Sequence, residues 1–279
     1  MLIEIKEVFV FNKIIDHLKN LVDNVIFEFT ENGLKICSMD KNNTMFIDMY
    51  VKCEFFTIYD LKSDILDIGI NLISFYKILK LASMGDIIQI EHDENDEEIT
   101  NIQISIISKL KTISNYSLKC LLLEKSVYES NLEEASQSLT VSTDNFTKSV
   151  NCIGLINGHD SNEIIKIVFN VNNLSILSNS QTQGIRCKIN IKCTKDEDVL
   201  FEDVEKKNNE RKIKTQTSER LFSQKVLLKM VKNINIIAEK LNLSIDDNGI
   251  LFFNLLNIKN IYYKITIAPL IIDEESCEY

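Results

Sequence analysis

Apolar and polar positions alternate with a period near two along most of this chain. At four places the period lengthens to about 3.6. Runs rich in Ile, Val, Phe and Tyr predict strands at 25–30, 34–39, 45–51, 86–92 and 101–107. The second half repeats the style at 164–171, 174–179, 185–193, 241–246, 250–256 and 262–268. Turn signals separate the runs: Glu31-Asn32-Gly33, Asn172-Asn173 and Asp246-Asp247-Asn248-Gly249.

The four helical segments each carry an apolar stripe and at least one lysine off it. In 9–21 the stripe is Phe11, Ile14, Ile15, Leu18 and Leu21, with Lys13 and Lys19 beside it. In 72–82 it is Leu72, Phe75, Ile78, Leu79 and Ala82, with Lys77 and Lys80 as an i,i+3 pair. In 143–156, Phe146, Val150 and Ile153 share a side, Lys148 faces away, and Ser142, Thr143 and Asp144 are N-cap candidates. In 223–236, Lys225, Lys229 and Lys232 recur on one face.

The order of elements suggests a duplication. Strand, helix, strands, helix, strands runs once through 1–117 and again through 135–279, and residues 32–38 echo 172–178. The stretch 119–138 follows no period for long and reads as a surface linker. A second stretch, 194–219, is charge-dense and apolar-poor and reads as an exposed loop or hairpin tip.

Composition narrows the class. The chain has 279 residues, 45% hydrophobic and 26% charged, enough for two domains with sizeable cores. No run of about 18 apolar residues is free of charge, so no membrane span is expected, and the N-terminus does not read as a signal peptide. The seven cysteines form no CxxC pair, which reads as buried thiols in a reducing compartment. The net charge of −10 argues against a nucleic-acid binder, unless the lysines gather on one surface and the acid lies elsewhere.

Catalytic chemistry has no motif to stand on. His17, His92 and His159 lie in different elements, and HExxH, G-x-S-x-G, GxxxxGK[ST] and GxGxxG are all missing. The carboxylate runs 93–98 and 273–275 have no EF-hand spacing and read as solvated loops. No metal, cofactor or enzymatic activity is expected. The helix lysines carry the positive signal. Singly, each reads as a solvated residue on an amphipathic helix. Jointly, if all four helices lie on one side of a continuous sheet, they make a basic surface that meets phosphates without reading bases.

Specific segments resemble a known family. Gly33-Leu34-Lys35-Ile36-Cys37-Ser38-Met39-Asp40 resembles the Ser-Met-Asp segment of the eukaryotic sliding clamp, proliferating cell nuclear antigen. Ile68-Gly69-Ile70-Asn71-Leu72 leading to Lys77-Ile78-Leu79-Lys80 and Asp86-Ile87-Ile88 is similar to that family's most recognisable stretch. Asn115-Tyr116-Ser117-Leu118-Lys119 resembles the strand that enters its interdomain connector. Ile267-Ala268-Pro269-Leu270-Ile271 with Asp273-Glu274-Glu275 is similar to its C-terminal Ala-Pro and acidic tail.

The resemblance implies an α+β DNA clamp fold: two similar domains, 1–117 and 139–279, each of antiparallel sheets with two helices, joined by a connector at 118–138. It implies three subunits forming a homotrimeric ring around double-stranded DNA in the nucleus, helices lining the hole. Such a ring is a processivity factor for DNA polymerase and a docking platform for replication and repair proteins. Its implied partners are a clamp loader, a replicative polymerase and proteins bearing a motif with a Gln and two aromatics. Carried over by position, the DNA-facing residues are Lys13, Lys19, Lys77, Lys80, Lys148, Lys225 and Lys232, with Lys229 added from helix spacing. The partner pocket would comprise Met39, Thr44, Phe46, Tyr128 or Leu132, Ala268, Pro269 and Ile271. Tyr116 near one strand edge would meet the opposite edge, 182–190, of the next subunit.

Departures accompany the likeness. Gly249 stands where the family has a pocket proline, and Thr266 where it has a tyrosine. The connector lacks Gly-Ile-Pro, and Asn151 and Leu155 replace basic or polar groups on the third helix. The modified lysine of damage tolerance falls near Val171 or Asn172, and the 194–219 loop is long. These suggest a divergent clamp, a paralogue beside the main replicative one. Two other readings stay open: a subunit of a checkpoint-type heterotrimeric clamp, and a β-rich interaction protein without a DNA role.

Overall fold

The computed structural model describes residues 1–92, 99–125, 135–158, 162–170, 172–180, 183–193 and 217–271. In chain order, the first elements are β1 (Leu2–Ile5), α1 (Val8–Leu21), β2 (Asn24–Thr30), β3 (Gly33–Met39), β4 (Met45–Lys52), β5 (Ile58–Asp60) and β6 (Ile65–Asn71). Then come α2 (Leu72–Leu79), β7 (Ile87–Glu91), β8 (Asn101–Ile107), β9 (Ile113–Lys119), β10 (Gln137–Ser142) and α3 (Thr143–Asn157). The last are β11 (Ile164–Phe169), β12 (Asn173–Ser180), β13 (Ile185–Lys192), β14 (Ser218–Ser223), α4 (Gln224–Val231), β15 (Lys240–Ile245), β16 (Leu251–Leu256) and β17 (Ile261–Ile267).

The chain divides into two compact units. Unit 1 comprises Met1–Ser130, Lys232–Ala238 and Asn257–Ile265; unit 2 comprises Asn131–Val231, Glu239–Leu256 and Thr266–Tyr279. In unit 1 one antiparallel sheet runs β5-β1-β7-β8-β9, and β17, β4, β3, β2 and β6 lie side by side in another. Helices α1 and α2 pack against each other. Ile14, Ile15 and Leu18 of α1 are fully buried. Phe75 of α2 meets Phe11 and Phe27 edge-on, with ring centroids 6.3 and 5.5 Å away. Each such buried aromatic contributes about 1.5–3 kcal/mol over an exposed one. At the core's polar seam, His17 Nδ1 and the Tyr263 hydroxyl share a hydrogen bond of 2.7 Å, and burial holds the Tyr263 phenol well above its ordinary pKa.

Unit 2 repeats the plan. Strands β10-β15-β16 lie side by side, β13-β12-β11-β14 form a four-stranded antiparallel sheet, and α3 packs on α4. The ring of Phe146 on α3 meets that of Phe253 at a tilt, with centroids 5.7 Å apart. The end of α3 is tied down by polar contacts. Asn157 Nδ2 donates to Ser178 Oγ and to Gln224 Oε1, both at 2.6 Å, and Gln224 Nε2 donates to the Gly158 carbonyl at 2.9 Å.

The α+β class, the two antiparallel-sheet units and the two helices in each agree with the sequence expectation. Several details differ. The second helix ends at Leu79, short of 82, and leaves Leu81 and Met84 exposed. The fourth ends at Val231. Asn233, at φ 64°, turns the chain left-handed, and a 3₁₀ turn follows at Ile234–Ile236. The linker reading of 119–138 is corrected at both ends, because Lys119 closes β9 and Gln137 opens β10. Ser218 and Glu219, read as loop, begin β14. The thiols are not uniformly buried: of the described cysteines, Cys120 is buried, Cys152 is exposed and the others lie between. His159, Cys277, residues 93–98, Tyr128, Leu132, most of the 194–219 stretch and the acidic run 273–275 lie outside the described residues.

Candidate nucleic-acid interface

The helices set where each lysine stands. In unit 1, α2 starts cleanly because the Asn71 side chain accepts the Ser74 N–H at 2.9 Å, a side-chain N-cap. Its apolar face, Leu72, Phe75 and Leu79, is buried, which leaves Lys77 and Lys80 exposed. Neither makes an ion pair among the described residues. Asn12 of α1 donates to the Leu79 carbonyl at 3.0 Å, which fixes α1 along the end of α2.

The two α1 lysines differ from these. Lys13 is half-buried, its ammonium 5.4 Å from the centroid of the exposed Phe9 ring. Lys19 is largely withdrawn. Its ammonium lies 2.7 Å from Asp16 Oδ1 and 4.6 Å from the Tyr76 ring centroid, with its side chain 21% exposed. Asn233 Nδ2 donates to the other Asp16 oxygen at 3.0 Å. Burial alone would raise the Asp16 pKa. The hydrogen bond and charge of Lys19, with hydrogen bonds from Tyr76 and Asn233, outweigh it and hold the carboxyl below its ordinary value.

In unit 2, Lys148 of α3 is exposed but paired with Asp144 one turn back. Asn151 and Leu155 are exposed on the same helix. On α4, Leu227, Met230 and Val231 are buried, while Lys225 and Lys229 are exposed. Lys232, just past the helix, is exposed as well. Lys225, Lys229 and Lys232 make no ion pair among the described residues. Of the eight lysines singled out from sequence, six make no ion pair among the described residues, and five of these are exposed: Lys77, Lys80, Lys225, Lys229 and Lys232.

The sheet edges have their own geometry. Tyr116 is half-buried on β9, opposite Ile104, and β9 is an edge of its sheet. In unit 2, β13 is an edge of the four-stranded sheet and carries exposed Ile185, Arg186, Lys188 and Asn190. Each strand has one side without a partner among the described residues.

The expected pocket residues are described within their own units. In unit 1, Met39 pairs with Phe46 across β3 and β4, both half-buried, and Thr44 is held by hydrogen bonds of 2.7 and 3.0 Å to the Asp40 carboxylate. In unit 2, Ala268 and Ile271 are exposed, Pro269 is half-buried, and the Leu270 N–H donates to the Leu221 carbonyl at 2.7 Å. Gly249 sits at φ 86°, a region closed to proline, whose ring holds φ near −65°. Any side chain there would also run into Arg220. Thr266, where the resemblance leads one to expect tyrosine, is buried.

Sequence reasoning did not anticipate a groove in unit 1. It measures about 330 Å³ and is lined by Asn24, Val25, Ile26, Glu28, Lys35, Cys37, Ser38 and Leu123–Lys125. None of Met39, Thr44 and Phe46 borders it. At its rim Lys125 bonds both Glu28 and Asp67. Burial and the neighbouring Asp48 push the Cys37 thiol up to about 12, so it is a poor nucleophile at neutral pH.

Two antiparallel-sheet units, each with a helix pair bearing exposed lysines, are the architecture that the sliding-clamp resemblance implies. Residues 1–129 match the family model described as proliferating cell nuclear antigen, N-terminal domain. That match covers just under half of the chain. A DNA polymerase sliding clamp from Methanococcus maripaludis is 28% identical over 179 residues, 62% of this chain and 66% of that protein. The proliferating cell nuclear antigen of Chaetomium thermophilum is 28% identical over 112 residues, 40% of this chain and 42% of that one. The match thus spans just under two thirds of the archaeal relative, and relatives occur among both archaea and eukaryotes.

Among solved structures, proliferating cellular nuclear antigen from Entamoeba histolytica superposes with a TM-score of 0.78 at 15% identity, over 97% of this chain and 98% of that one. A chain of the PCNA2–PCNA3 complex from Sulfolobus tokodaii does so with a TM-score of 0.76 at 17% identity, over 96% and 99%. These establish the fold along the whole length.

Proposed function

We propose that this chain is the protomer of a homotrimeric DNA sliding clamp that holds a replicative polymerase to its template. The observation that carries the reading is the contrast between a net charge of −10 and five exposed lysines on or beside α2 and α4 that make no ion pair among the described residues. A ring lined by such lysines meets phosphates through weak, sequence-blind contacts. Loose contacts permit sliding, and closure of the ring, not affinity, prevents dissociation. The available edges of β9, with Tyr116, and of β13 suit head-to-tail pairing, which would continue one sheet into the next subunit and hide both edges.

In this reading the two clamp domains are joined by a connector that lies between the end of β9 at Lys119 and the start of β10 at Gln137. A loader opens the ring. Proteins carrying a Gln-plus-aromatics motif dock at Met39, Thr44, Phe46, Tyr128, Leu132, Ala268, Pro269 and Ile271. The departures at Gly249 and Thr266 reshape that site and so narrow its partners. Residence is nuclear if the source is a eukaryote. The DNA-facing set is Lys13, Lys77, Lys80, Lys148, Lys225, Lys229 and Lys232, with Lys19 contributing least because Asp16 already neutralises it.

The test is solution mass followed by topology. Light scattering of the chain alone should give three times the 32.2 kDa subunit. After loading, the protein should stay on closed circular DNA and run off the linearised form. A persistent monomer at micromolar concentration would overturn the homotrimer. A second reading, a heterotrimer subunit, is favoured by the structural likeness to a chain of the PCNA2–PCNA3 complex. It predicts that trimer mass appears only when other clamp chains are added.

A further inference from the structure

Strand β6 is an edge of its sheet, so its outer backbone groups need partners. One of them has a partner in the segment that follows β9. The Leu121 N–H donates to the Gly69 carbonyl at 2.9 Å, and the two residues form an isolated antiparallel bridge. Only glycine permits this approach. A Cβ at position 69 would lie 2.1 Å from the Leu121 carbonyl oxygen.

Two residues from that bridge, β6 carries a liability. Asp67 stands directly opposite Glu28 of β2 in the register. Two like charges facing each other across antiparallel strands repel and weaken the pairing. The neutralising cation comes from the same segment that Leu121 anchors. Lys125 Nζ lies 2.9 Å from Asp67 Oδ2 and approaches Glu28 Oε2 still more closely. Burial works against the charged ammonium, but hydrogen bonds to Glu28 and Asp67 outweigh it and hold the Lys125 pKa above its ordinary value. Leu123, Glu124 and Lys125 line the groove together with Lys35, Cys37 and Ser38.

We propose that Lys125, seated on the opposed Glu28–Asp67 pair, is an electrostatic clasp that straps residues 121–125 to the sheet and sets the width of the groove. The strap has two attachments of different kinds. The Gly69–Leu121 bridge is a backbone bond that salt does not touch. The clasp is a half-exposed ion pair that salt screens, since the Debye length falls from about 10 Å at 0.1 M to about 3 Å at 1 M. Raising ionic strength, or placing a competing cation between the two carboxylates, therefore releases the end of the strap while its root stays bonded. The inference does not depend on the clamp reading, because every group in it belongs to unit 1.

The test is amide hydrogen exchange of the purified full chain, read for residues 121–125 and for β6, with the buried β8 amide of Ile104 as control. At low salt, Lys125→Met should speed exchange across 121–125 by about fivefold, the scale of partly exposed ion pairs. It should also loosen β6, where the carboxylates now repel. The Glu28→Gln/Asp67→Asn pair should free the strap but leave β6 slow, because the repulsion goes with the anchor. In the unaltered chain 1 M salt should reproduce the Lys125→Met rates at 121–125, and it should add nothing to that variant. Exchange at 121–125 that ignores both salt and Lys125→Met would overturn the clasp. If the variants fail to fold, the salt series on the unaltered chain decides alone.

Discussion

Lys19 separates what family resemblance implies from what the structure places. By position it belongs to the DNA-facing set, yet it bridges α1 and α2 through Asp16 and the Tyr76 ring. Lys19→Met keeps the length of the side chain and removes the charge. It deletes a charge-assisted hydrogen bond of 2.7 Å to a carboxylate whose side chain is 12% exposed. Hydrogen bonds to charged groups are worth about 1.5–3 kcal/mol, and the cation–π contact adds about 0.5–1 kcal/mol. Asn233 and Tyr76 still hold Asp16, so the net loss should be about 2 kcal/mol.

For a unit of this size that corresponds to a drop in melting temperature of about 4–8 °C at fixed protein concentration. The sign with pH follows from the depressed Asp16 pKa. The folded state favours the carboxylate, so the stabilisation is complete above the unfolded value near 4 and fades as the pH falls through the lower folded value. The deficit of Lys19→Met should therefore be largest at neutral pH and shrink in acid. Lys77→Met, which breaks no ion pair among the described residues, should melt within about 1 °C of the unaltered chain. The DNA assay should reverse the ranking: Lys77→Met lowers the salt slope of binding and Lys19→Met barely changes it. A Lys19→Met chain that melts normally but loses salt-dependent DNA binding would refute the reasoning.

Other outcomes follow from the same geometry. Combined Lys225→Ala and Lys229→Ala should reduce the slope of log affinity against log salt by nearly 1 for every phosphate no longer neutralised, read by anisotropy on duplex DNA of any sequence. Gly69→Val should destabilise the chain by about 1–3 kcal/mol and speed exchange at Leu121, because the new side chain meets a backbone carbonyl that has little freedom to move. A change confined to the melting temperature, with Leu121 exchange unaltered, would contradict that account. Alkylation at pH 8 should label the exposed Cys152 early and Cys37 late, since burial and Asp48 push the Cys37 thiol up to about 12. Asp48→Asn should speed Cys37 labelling, and no acceleration would show that steric cover alone protects it.

Periodicity alone locates the four helices and most of the strands. Phe11, Ile14, Ile15 and Leu18 recur at a helical interval because one face of α1 must be dry, and they are buried accordingly. Strand β1 enters the reading only through the order of elements, because four residues are too few to show alternation, although Ile3 and Ile5 are wholly buried. Strand β9 alternates in exposure but hardly in polarity, because Ser114 takes an inward position and Ile113 an outward one, as a sheet edge allows. The fourth helix reads too long because its apolar pattern continues through Ile234, and nothing local announces that Asn233 turns left-handed.

The candidate lysines are visible one helix at a time, since an amphipathic helix shows its polar face in its own spacing. The sequence by itself determined the two-fold plan, the elements and which lysines are kept out of the core, because each depends on the pattern of neighbouring residues. The pairs that neutralise Lys19 and Lys148 are local, with Asp16 and Asp144 one turn back, but how far Lys19 is withdrawn was decided by the fold. Asn233 and Tyr76 complete the site that withdraws Lys19, and they lie far from it along the chain. Lys125 meets Glu28 and Asp67 across intervals that no periodicity spans. Pairs one helical turn apart can be read from the chain's order, whereas partners brought together from remote segments depend on distances in space that the order does not contain.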